Sequence, residues 1–216
     1  MTHDHVQGIT IQSSEALARA RAVGWPVTEE QGRHCVQAPG GYKFYLEDEA
    51  EARGRDPVRS VAVAVSNMQR SLGYWEGLLG MQPTSYQADT TTLSYSPATQ
   101  ASLVLVAQQA VEHGTAPGRI AFSVPSKELP GIQEKVQEAK ETVLTPLVSL
   151  DTPGKATVQV VILADPDGQE ICFVGAEAFR ELSQVDPNAA TLLDEAIAND
   201  KSDEWFAKKG REKVTA

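Results

Sequence analysis

The chain has 216 residues, of which 41% are hydrophobic, so it is long enough to bury the core of one large or two small domains. Its formal charge of −10 argues against a surface that binds nucleic acid or anionic lipid, because both attract Lys and Arg. No apolar run reaches the roughly 20 residues that span a bilayer. From the charge and the apolar runs together, neither a nucleic acid nor a membrane is an expected partner.

The first elements along the chain predict a β-α-β-β-β unit. The apolar segment Val6–Gln12 predicts a strand, and residues 13–24 predict a helix, because serines cap its start and a glycine ends it. Residues 26–46 supply two or three strands, the last after a turn of sequence APGG. The charged residues 47–57, which contain Gly and Pro, then predict a linker or an exposed crossing.

The same order of elements starts again at residue 58. Val58–Val65 predicts a strand, Ser66 and Asn67 cap a helix over residues 68–79, and Gly80 ends it. Three strands follow, at residues 81–86, 91–96 and 102–107. The polar residues 108–117 predict a second linker.

A third unit begins at residue 118, with a strand to residue 124 and a helix over 129–140. Its strands are predicted at residues 143–147, 157–163 and 170–174. The last two form a hairpin around Asp165-Pro166-Asp167-Gly168, in which Pro166 presets φ, Gly168 admits positive φ and the Asp165 carboxylate caps the turn.

Residues 176–216 change character and predict a helical tail. Helices are expected at residues 177–182 and 188–198, with Leu192, Leu193 and Ile197 on one stripe. Two interpretations stay open for this stripe. Packing against the domain is favoured, because apolar stripes are usually core contacts, and docking of a protein partner is the alternative.

Thiols and imidazoles are few. Cys35 and Cys172 form no CxxC motif, which favours a reducing compartment and hence a cytoplasmic protein. His3 and His5 flank Asp4 at the terminus, where ligands are poorly preorganised. GxSxG, P-loop and GxGxxG motifs are missing, so no cofactor and no catalytic residue is predicted.

The repeated units resemble the vicinal oxygen chelate superfamily, which includes glyoxalase I. The resemblance rests on VAVAVSNMQRSLGYWEGLLGM, with its capped helix and aromatic pair, and on the closing hairpin ILADPDGQEICFVG. It covers essentially the whole chain. It implies an α+β protein whose repeated βαβββ units form curved mixed sheets, the glyoxalase/bleomycin-resistance/dioxygenase fold, followed by a C-terminal helical tail. The likeness also suggests a mitochondrial location as a second possibility.

The resemblance further implies four units in two paired domains, whereas this chain has three. We therefore expect a shortened form that lacks a leading unit. Residues 1–56 are predicted to be an incomplete half-domain, residues 57–176 a complete domain of two units, and residues 177–216 a helical tail. The half-domain would leave a sheet edge that has to be covered, by another chain as in a homo-oligomer or by rearrangement, or that remains an association hazard.

In metal-dependent members, the resemblance implies one ligand in the first strand and one in the closing strand of each unit. His, Glu and Gln usually fill these places. Here the matching residues are Val6, Ser60 and Arg119 in the first strands, and Tyr45, Val104 and Cys172 in the closing strands. Because none is a strong ligand except Cys172, which is more often a small buried residue, the metal site is predicted to be absent. Glu170 is expected to face solvent, on the side of the sheet opposite to the ligand positions.

Arg119 has two open interpretations. Its guanidinium could clamp a small anionic ligand in a cavity between sheets. Alternatively, and favoured here, it pairs internally with an acidic side chain such as Glu76 or Asp165, because buried charges are normally paired.

Three functions follow as hypotheses. The leading one is a glyoxalase-like protein that has lost metal-dependent lyase activity and binds a small molecule or a protein. The second is a metal-dependent lactoylglutathione lyase-type enzyme acting on glutathione adducts of 2-oxoaldehydes. The third is a structural interaction protein that uses the acidic surface and the C-terminal tail.

Overall fold

A computed structural model describes residues 6–30, 32–39, 41–49, 57–98, 100–111, 118–151 and 156–210. The strands are β1 (Val6–Gln12), β2 (Val27–Glu30), β3 (Arg33–Gln37), β4 (Lys43–Glu47), β5 (Val58–Val65), β6 (Gln82–Tyr86), β7 (Thr90–Ser94), β8 (Ser102–Ala107), β9 (Arg119–Val124), β10 (Val143–Leu150), β11 (Val158–Ala164) and β12 (Glu170–Gly175). The helices are α1 (Ser14–Ala22), α2 (Met68–Leu72), α3 (Leu129–Glu138), α4 (Ala176–Leu182), α5 (Ala189–Ala198) and α6 (Ser202–Lys208). A π-helix over Gly73–Leu78 and a 3-10 turn over Ser126–Glu128 complete them.

Three βαβββ units follow one another, over residues 6–47, 58–107 and 119–175, and we call them the first, second and third units. In each unit the first strand pairs in parallel with the last, as β1 with β4, β5 with β8, and β9 with β12. The remaining pairs within the units are antiparallel. The predicted α+β class with curved mixed sheets is confirmed.

The first and second units share one eight-stranded sheet, in the order β2-β3-β4-β1-β5-β8-β7-β6. They join where β1 runs antiparallel to β5, with Gly8 opposite Ala62 and Thr10 opposite Ser60. The first unit's edge at β1 is therefore covered within the chain, by β5, while coverage by a homo-oligomer stays a prediction. The domain division at residue 56 stays a prediction.

The third unit forms a separate four-stranded sheet, in the order β10-β11-β12-β9. Its inner aromatic residues pack on the second unit, where Trp75 lies 5.9 Å from Phe122 and Phe122 stacks on Phe173 at 5.4 Å between ring centroids. Trp75, Leu105, Leu163 and Phe173 belong to one buried cluster. The second and third units are thus held together by a common hydrophobic core.

The π-helix positions the aromatic pair that the sequence places after α2. Tyr74 and Trp75 are adjacent, yet both are buried and their rings meet edge to face at 5.6 Å. Consecutive residues on an α-helix point about 100° apart, so the wider turn helps both rings to face the core. The Leu79 amide donates to the Tyr74 carbonyl at 2.9 Å, which is the i→i+5 bond of that turn.

The hairpin between β11 and β12 confirms the predicted turn chemistry. Asp165 Oδ1 accepts from the backbone N–H groups of Asp167 and Gln169, at 2.9 and 2.8 Å, and Gly168 has a φ of 87°. The turn also contacts the second unit, because the Asp167 carboxylate accepts from the backbone N–H and the hydroxyl of Ser66, just before α2. Arg70 donates to the Pro166 carbonyl at 3.2 Å and adds a further hydrogen bond between the turn and the second unit.

The tail divides into a packed and an exposed part. Helix α4 packs through Ala178 and Leu182 on Val158, Val160 and Val174 of the third unit's sheet. In α5, by contrast, every described side chain is exposed, Leu192 by 46% and Ile197 by 64%, while the side chain of Leu193 lies outside the described residues. The favoured interpretation, a stripe packed on the domain, is therefore wrong for α5. Helix α6 lies within the predicted helical tail, although no bounds were predicted for it, and its Trp205 and Phe206 rings meet edge to face with 5.0 Å between ring centroids.

Candidate functional site: the inner face of the eight-stranded sheet

The eight-stranded sheet has two different faces. One face carries Val61, Val63 and Leu105, which pack into the core beneath α2 and the π-helix. Side chains alternate between faces along a strand, so the residues between these point the other way. We call that second side the inner face. Strand register aligns one row of residues across it: Thr28, Cys35, Tyr45, Thr10, Ser60 and Ser102.

A polar network occupies the first unit's part of the inner face. Lys43 Nζ donates to Glu30 Oε2 at 2.8 Å, and the Tyr45 hydroxyl donates to the same oxygen at 3.2 Å. The Arg33 guanidinium lies 3.9 Å from the centroid of the Tyr45 ring, as a cation–π contact, and donates to Thr10 Oγ1 at 3.5 Å. Strands β1 to β4 therefore hold these side chains in one connected group.

The pairing of Glu30 with Lys43 shifts both groups toward their charged forms. The Lys43 hydrogen bond lowers the pKa of Glu30, and the Glu30 hydrogen bond raises the pKa of Lys43. Burial raises the pKa of Tyr45 and of the Cys35 thiol. At neutral pH the site therefore presents an ion pair beside a protonated phenol and a protonated thiol.

A cavity of about 260 Å³ lies beside this network. It is lined by the indole of Trp25 and by the side chains of Thr28, Glu30, Cys35, Gln37 and Lys43. An aromatic plane, an ion pair and an amide around one opening are features of sites for small organic molecules.

Gly8 allows the Tyr45 ring to lie against β1. A Cβ at position 8 would stand 2.6 Å from Tyr45 Cε2, and Gly8 has a φ of 155°. Glycine therefore meets both the backbone and the space requirement here.

Three of the six predicted ligand positions come together on the inner face. Tyr45 and Ser60 are in the row above, and Val104 lies opposite Ala62 in the adjacent row. The side chain of Val6 is outside the described residues. This part of the site therefore offers a phenol, an alcohol and a methyl-bearing side chain.

Arg119 and Cys172 lie apart from the other positions, on the third unit's sheet. Arg119 Nε donates to Glu170 Oε2 at 2.6 Å, with 52% and 30% of the two side chains exposed. The expected partners Glu76 and Asp165 are therefore wrong, although an internal ion pair does form. Glu170 lies two residues from Cys172, on the same face of β12, so its expected position opposite the ligand positions is also wrong. Burial raises the pKa of Cys172, so its thiol stays protonated at neutral pH.

The donor set on the inner face does not fit a divalent ion. Tyr45 and Ser60 are weak ligands when neutral, and Val104 offers no lone pair. The third unit contributes Glu170, already paired with Arg119, and the protonated Cys172. Within the residues that the structure describes, no group of three or more His, Cys, Asp or Glu side chains converges. His3, His5 and His113 lie outside those residues.

The side chains of the polar network that the sequence analysis missed are Glu30, Arg33 and Lys43. They occupy strands β2 to β4 in alternation with residues of the opposite face. That alternation could have predicted which side chains of each strand share a face, because residues spaced by two along a strand point the same way. The contacts between strands could not be read without the register.

Comparison of the fold with solved structures gives the class of protein to which the chain is similar. The structure is similar to glyoxalase I from Zea mays, with a TM-score of 0.64 over 84% of this chain and 71% of that chain, at 20% sequence identity. At this level of identity the similarity shows the fold alone, and it places the chain among proteins of the glyoxalase fold.

Sequence comparison then gives the family. Residues 67–182 match the model of the glyoxalase domain-containing protein 4-like C-terminal domain, and residues 8–48 match the glyoxalase domain-containing protein 4 N-terminal model. The chain belongs to the glyoxalase domain-containing protein 4 family.

Two relatives show how far the likeness extends. Glyoxalase domain-containing protein 4 of Rattus norvegicus is 53% identical over 214 residues, which cover 96% of this chain and 70% of that protein. Glyoxalase 1 of Caenorhabditis elegans is 40% identical over 175 residues, or 81% of this chain and 61% of that protein. Among the described helices of this chain, none is long and apolar enough to cross a membrane.

Proposed function

We propose that this protein binds a small organic molecule on the inner face of the eight-stranded sheet, without a catalytic metal ion. The observation that carries the proposal is the cavity of about 260 Å³ beside the ion pair of Glu30 and Lys43. The pair fixes polar groups at the opening, and Trp25 supplies an aromatic plane against which a ligand can pack. Loss of lyase chemistry follows in this proposal from the ligand positions, where Tyr45, Ser60 and Val104 replace strong donors.

A filled cavity tests the binding proposal. Thr28→Trp places an indole into the space that Thr28 lines, whereas Thr84→Trp adds the same group to an exposed position of β6. The protein is purified from cells and weighed under native conditions, with and without denaturation. We expect a small-molecule mass on the wild type and on Thr84→Trp, and none on Thr28→Trp. Absence of any adduct from the wild type, or an equal adduct on Thr28→Trp, contradicts the proposal.

A glyoxalase I-type lyase is the second candidate, and the 40% identity to Glyoxalase 1 of Caenorhabditis elegans favours it. In that chemistry a divalent ion polarises the oxygens of the substrate. Metal content is measured after purification, and turnover of the methylglyoxal–glutathione adduct is assayed with added Zn, Ni or Mn. Stoichiometric metal together with turnover would replace the leading proposal.

The other partner and location predictions stay proposals. Docking of a protein through the tail gains support from the exposed apolar side chains of α5 and α6. Loss of captured proteins on deletion of the tail, with no small-molecule adduct on the intact chain, would favour the structural interaction protein. Cytoplasmic location, with mitochondria as the alternative, is tested by fractionation.

A further inference from the structure

Most neutral hydrogen-bond donors around the cavity of the first unit are already used within the chain. The Trp25 indole N–H donates to the Gln37 carbonyl at 3.2 Å, and the Gln37 side-chain amide donates to the Gly41 carbonyl at 3.2 Å. The Thr28 hydroxyl donates to the Cys35 carbonyl at 3.4 Å. A donor that already has an acceptor gains little from a ligand, so these groups contribute mainly shape.

Lys43 is the donor with bonding capacity to spare. Its ammonium carries three N–H groups, and among the described residues it donates to Glu30 alone, at 2.8 Å. Two N–H groups therefore remain for a ligand. The side chain lines the cavity and is 39% exposed, so a molecule that enters from solvent can reach the ammonium.

The carboxylate of Glu30 is much closer to saturation. Its Oε2 accepts from Lys43 at 2.8 Å and from the Tyr45 hydroxyl at 3.2 Å. A hydrogen bond from the Cys35 thiol also helps to lower the pKa of Glu30. Three donors thus share about four lone-pair sites. The unmet bonding capacity of the ion pair lies mainly on its cation.

The apolar part of the cavity wall is formed by Trp25 and Pro26. The indole is held by its bond to the Gln37 carbonyl, and the Trp25 backbone N–H donates to the Ala20 carbonyl at 2.9 Å. This fixed ring is still 42% exposed, so it offers a ready plane for a flat ligand. A volume of about 260 Å³ corresponds to about nine water molecules at roughly 30 Å³ each, which suits a body of about ten non-hydrogen atoms.

We propose that the cavity selects a small carboxylic acid with a planar apolar body, and that Lys43 determines this selectivity. The carboxylate accepts from Lys43 Nζ while the body packs on Trp25 and Pro26. The inference rests on the proposed function and adds the chemical class of the ligand. An organic cation would face the ammonium instead, and a neutral amide would form weaker hydrogen bonds with it.

Three probes that share one body and differ in charge test the selectivity on the wild type. Phenylacetate is an anion, phenylacetamide is neutral and phenethylamine is a cation at neutral pH. Their dissociation constants are measured by isothermal titration calorimetry at one salt concentration. We expect phenylacetate to bind about tenfold more tightly than the amide, as charge-assisted hydrogen bonds are the stronger ones, and the amine not to bind.

Variants then assign the selectivity to Lys43. Lys43→Met removes the ammonium and keeps an unbranched stem, whereas Lys43→Arg keeps the positive charge. Thr28→Trp fills the cavity, and Lys127→Met removes an exposed lysine of the third unit as the matched control. We expect the affinity for phenylacetate to fall by about tenfold or more in Lys43→Met and in Thr28→Trp, and to be kept in the other two. Circular dichroism reports folding.

The outcomes separate this inference from the proposed function. If the amide or the amine binds as tightly as the acid and is lost in Thr28→Trp, the acid class is overturned while binding in the cavity stands. Phenylacetate binding that survives Lys43→Met or Thr28→Trp, or no binding of phenylacetate to the wild type, also overturns the inference. The native mass of the wild type tests the proposed function independently. If Lys43→Met fails to fold, the comparison of the three probes on the wild type decides alone.

Discussion

Tyr45 connects the candidate site to the backbone of the neighbouring strand. Its hydroxyl donates to Glu30 and its ring lies under Arg33, while its edge rests on the one residue of β1 that has no side chain. The position of the ring therefore depends on the absence of a side chain at Gly8.

Gly8→Ala is predicted to displace Tyr45 and to lower the free energy of unfolding by about 1–3 kcal/mol, because the new Cβ meets the ring and the backbone is strained. Gly131→Ala is the control, since it lies in α3 with nothing within 4 Å of a new Cβ. That change should stabilise the protein by up to about 1 kcal/mol. Urea unfolding of both variants checks the pair, and an equal effect at the two positions would contradict the account.

Asp165 is a buried carboxylate with a pH-dependent contribution to stability. Burial raises its pKa, while the hydrogen bonds from the Gln169 and Asp167 amides act in the opposite direction. Because the folded-state pKa lies above the unfolded one, the stabilising contribution of its protonation is fully present below about pH 4. That contribution is lost as the pH rises through the folded-state pKa.

Asp165→Asn keeps an acceptor for the two amides and removes the titration. The free energy of unfolding of the wild type, relative to this variant, is predicted to fall as the pH rises from about 3 to 7. Urea titrations at several pH values measure the difference. A difference that is constant or that increases with pH would show that burial does not control this carboxyl group.

At the scale of elements, the closing hairpin of the third unit is hydrogen-bonded to Ser66, the residue before the Asn67 N-cap of α2 in the second unit. Asp167→Ala removes the acceptor for the Ser66 amide and hydroxyl, and it is predicted to cost about 1–2 kcal/mol of unfolding free energy. Asp151→Ala, which removes an exposed bond to Thr157 in a loop, is the control and should cost less than about 1 kcal/mol. Equal losses in urea unfolding would argue against a specific joint.

The two parts of the tail are predicted to differ in their effect on stability. Removal of residues 189–216 should leave the midpoint of thermal unfolding nearly unchanged, because every described side chain of α5 is exposed. Leu182→Ala should instead lower the free energy of unfolding by about 1–3 kcal/mol, since Leu182 packs on Val158, Val160 and Val174. A marked loss of stability on truncation would mean that α5 packs on the domain after all.

At the scale of the whole molecule, local patterns predicted the order of elements in each unit, whereas the pairing of units, the π-helix and the exposure of α5 escaped them. Strands β1, β5 and β8 have the predicted bounds, and the hairpin turn has its predicted chemistry, because turn residues and apolar runs act within a few positions. The partner of β1 depends on contacts some 50 residues away along the chain. Alternation within a strand does not specify which other strand it pairs with, so the sequence did not show that β5 covers the edge of β1.

The candidate site was predicted in part for the same reason. Tyr45, Ser60 and Val104 were placed by likeness to a family motif, and the structure brings them onto one face. The ion pair of Glu30 with Lys43 joins β2 to β4 across β3, so it depends on register. Arg119 was predicted either to clamp an anion in a cavity or, as favoured, to pair with an acidic side chain of the chain itself. It pairs with Glu170, and about half of its side chain is exposed.

The most direct test of the central claim is the mass of the purified protein under native conditions, with metal analysis of the same sample. The account predicts an organic adduct that is lost on denaturation and on Thr28→Trp, with divalent metal well below one ion per chain. One divalent ion per chain, no organic adduct and turnover of the methylglyoxal–glutathione adduct would contradict it.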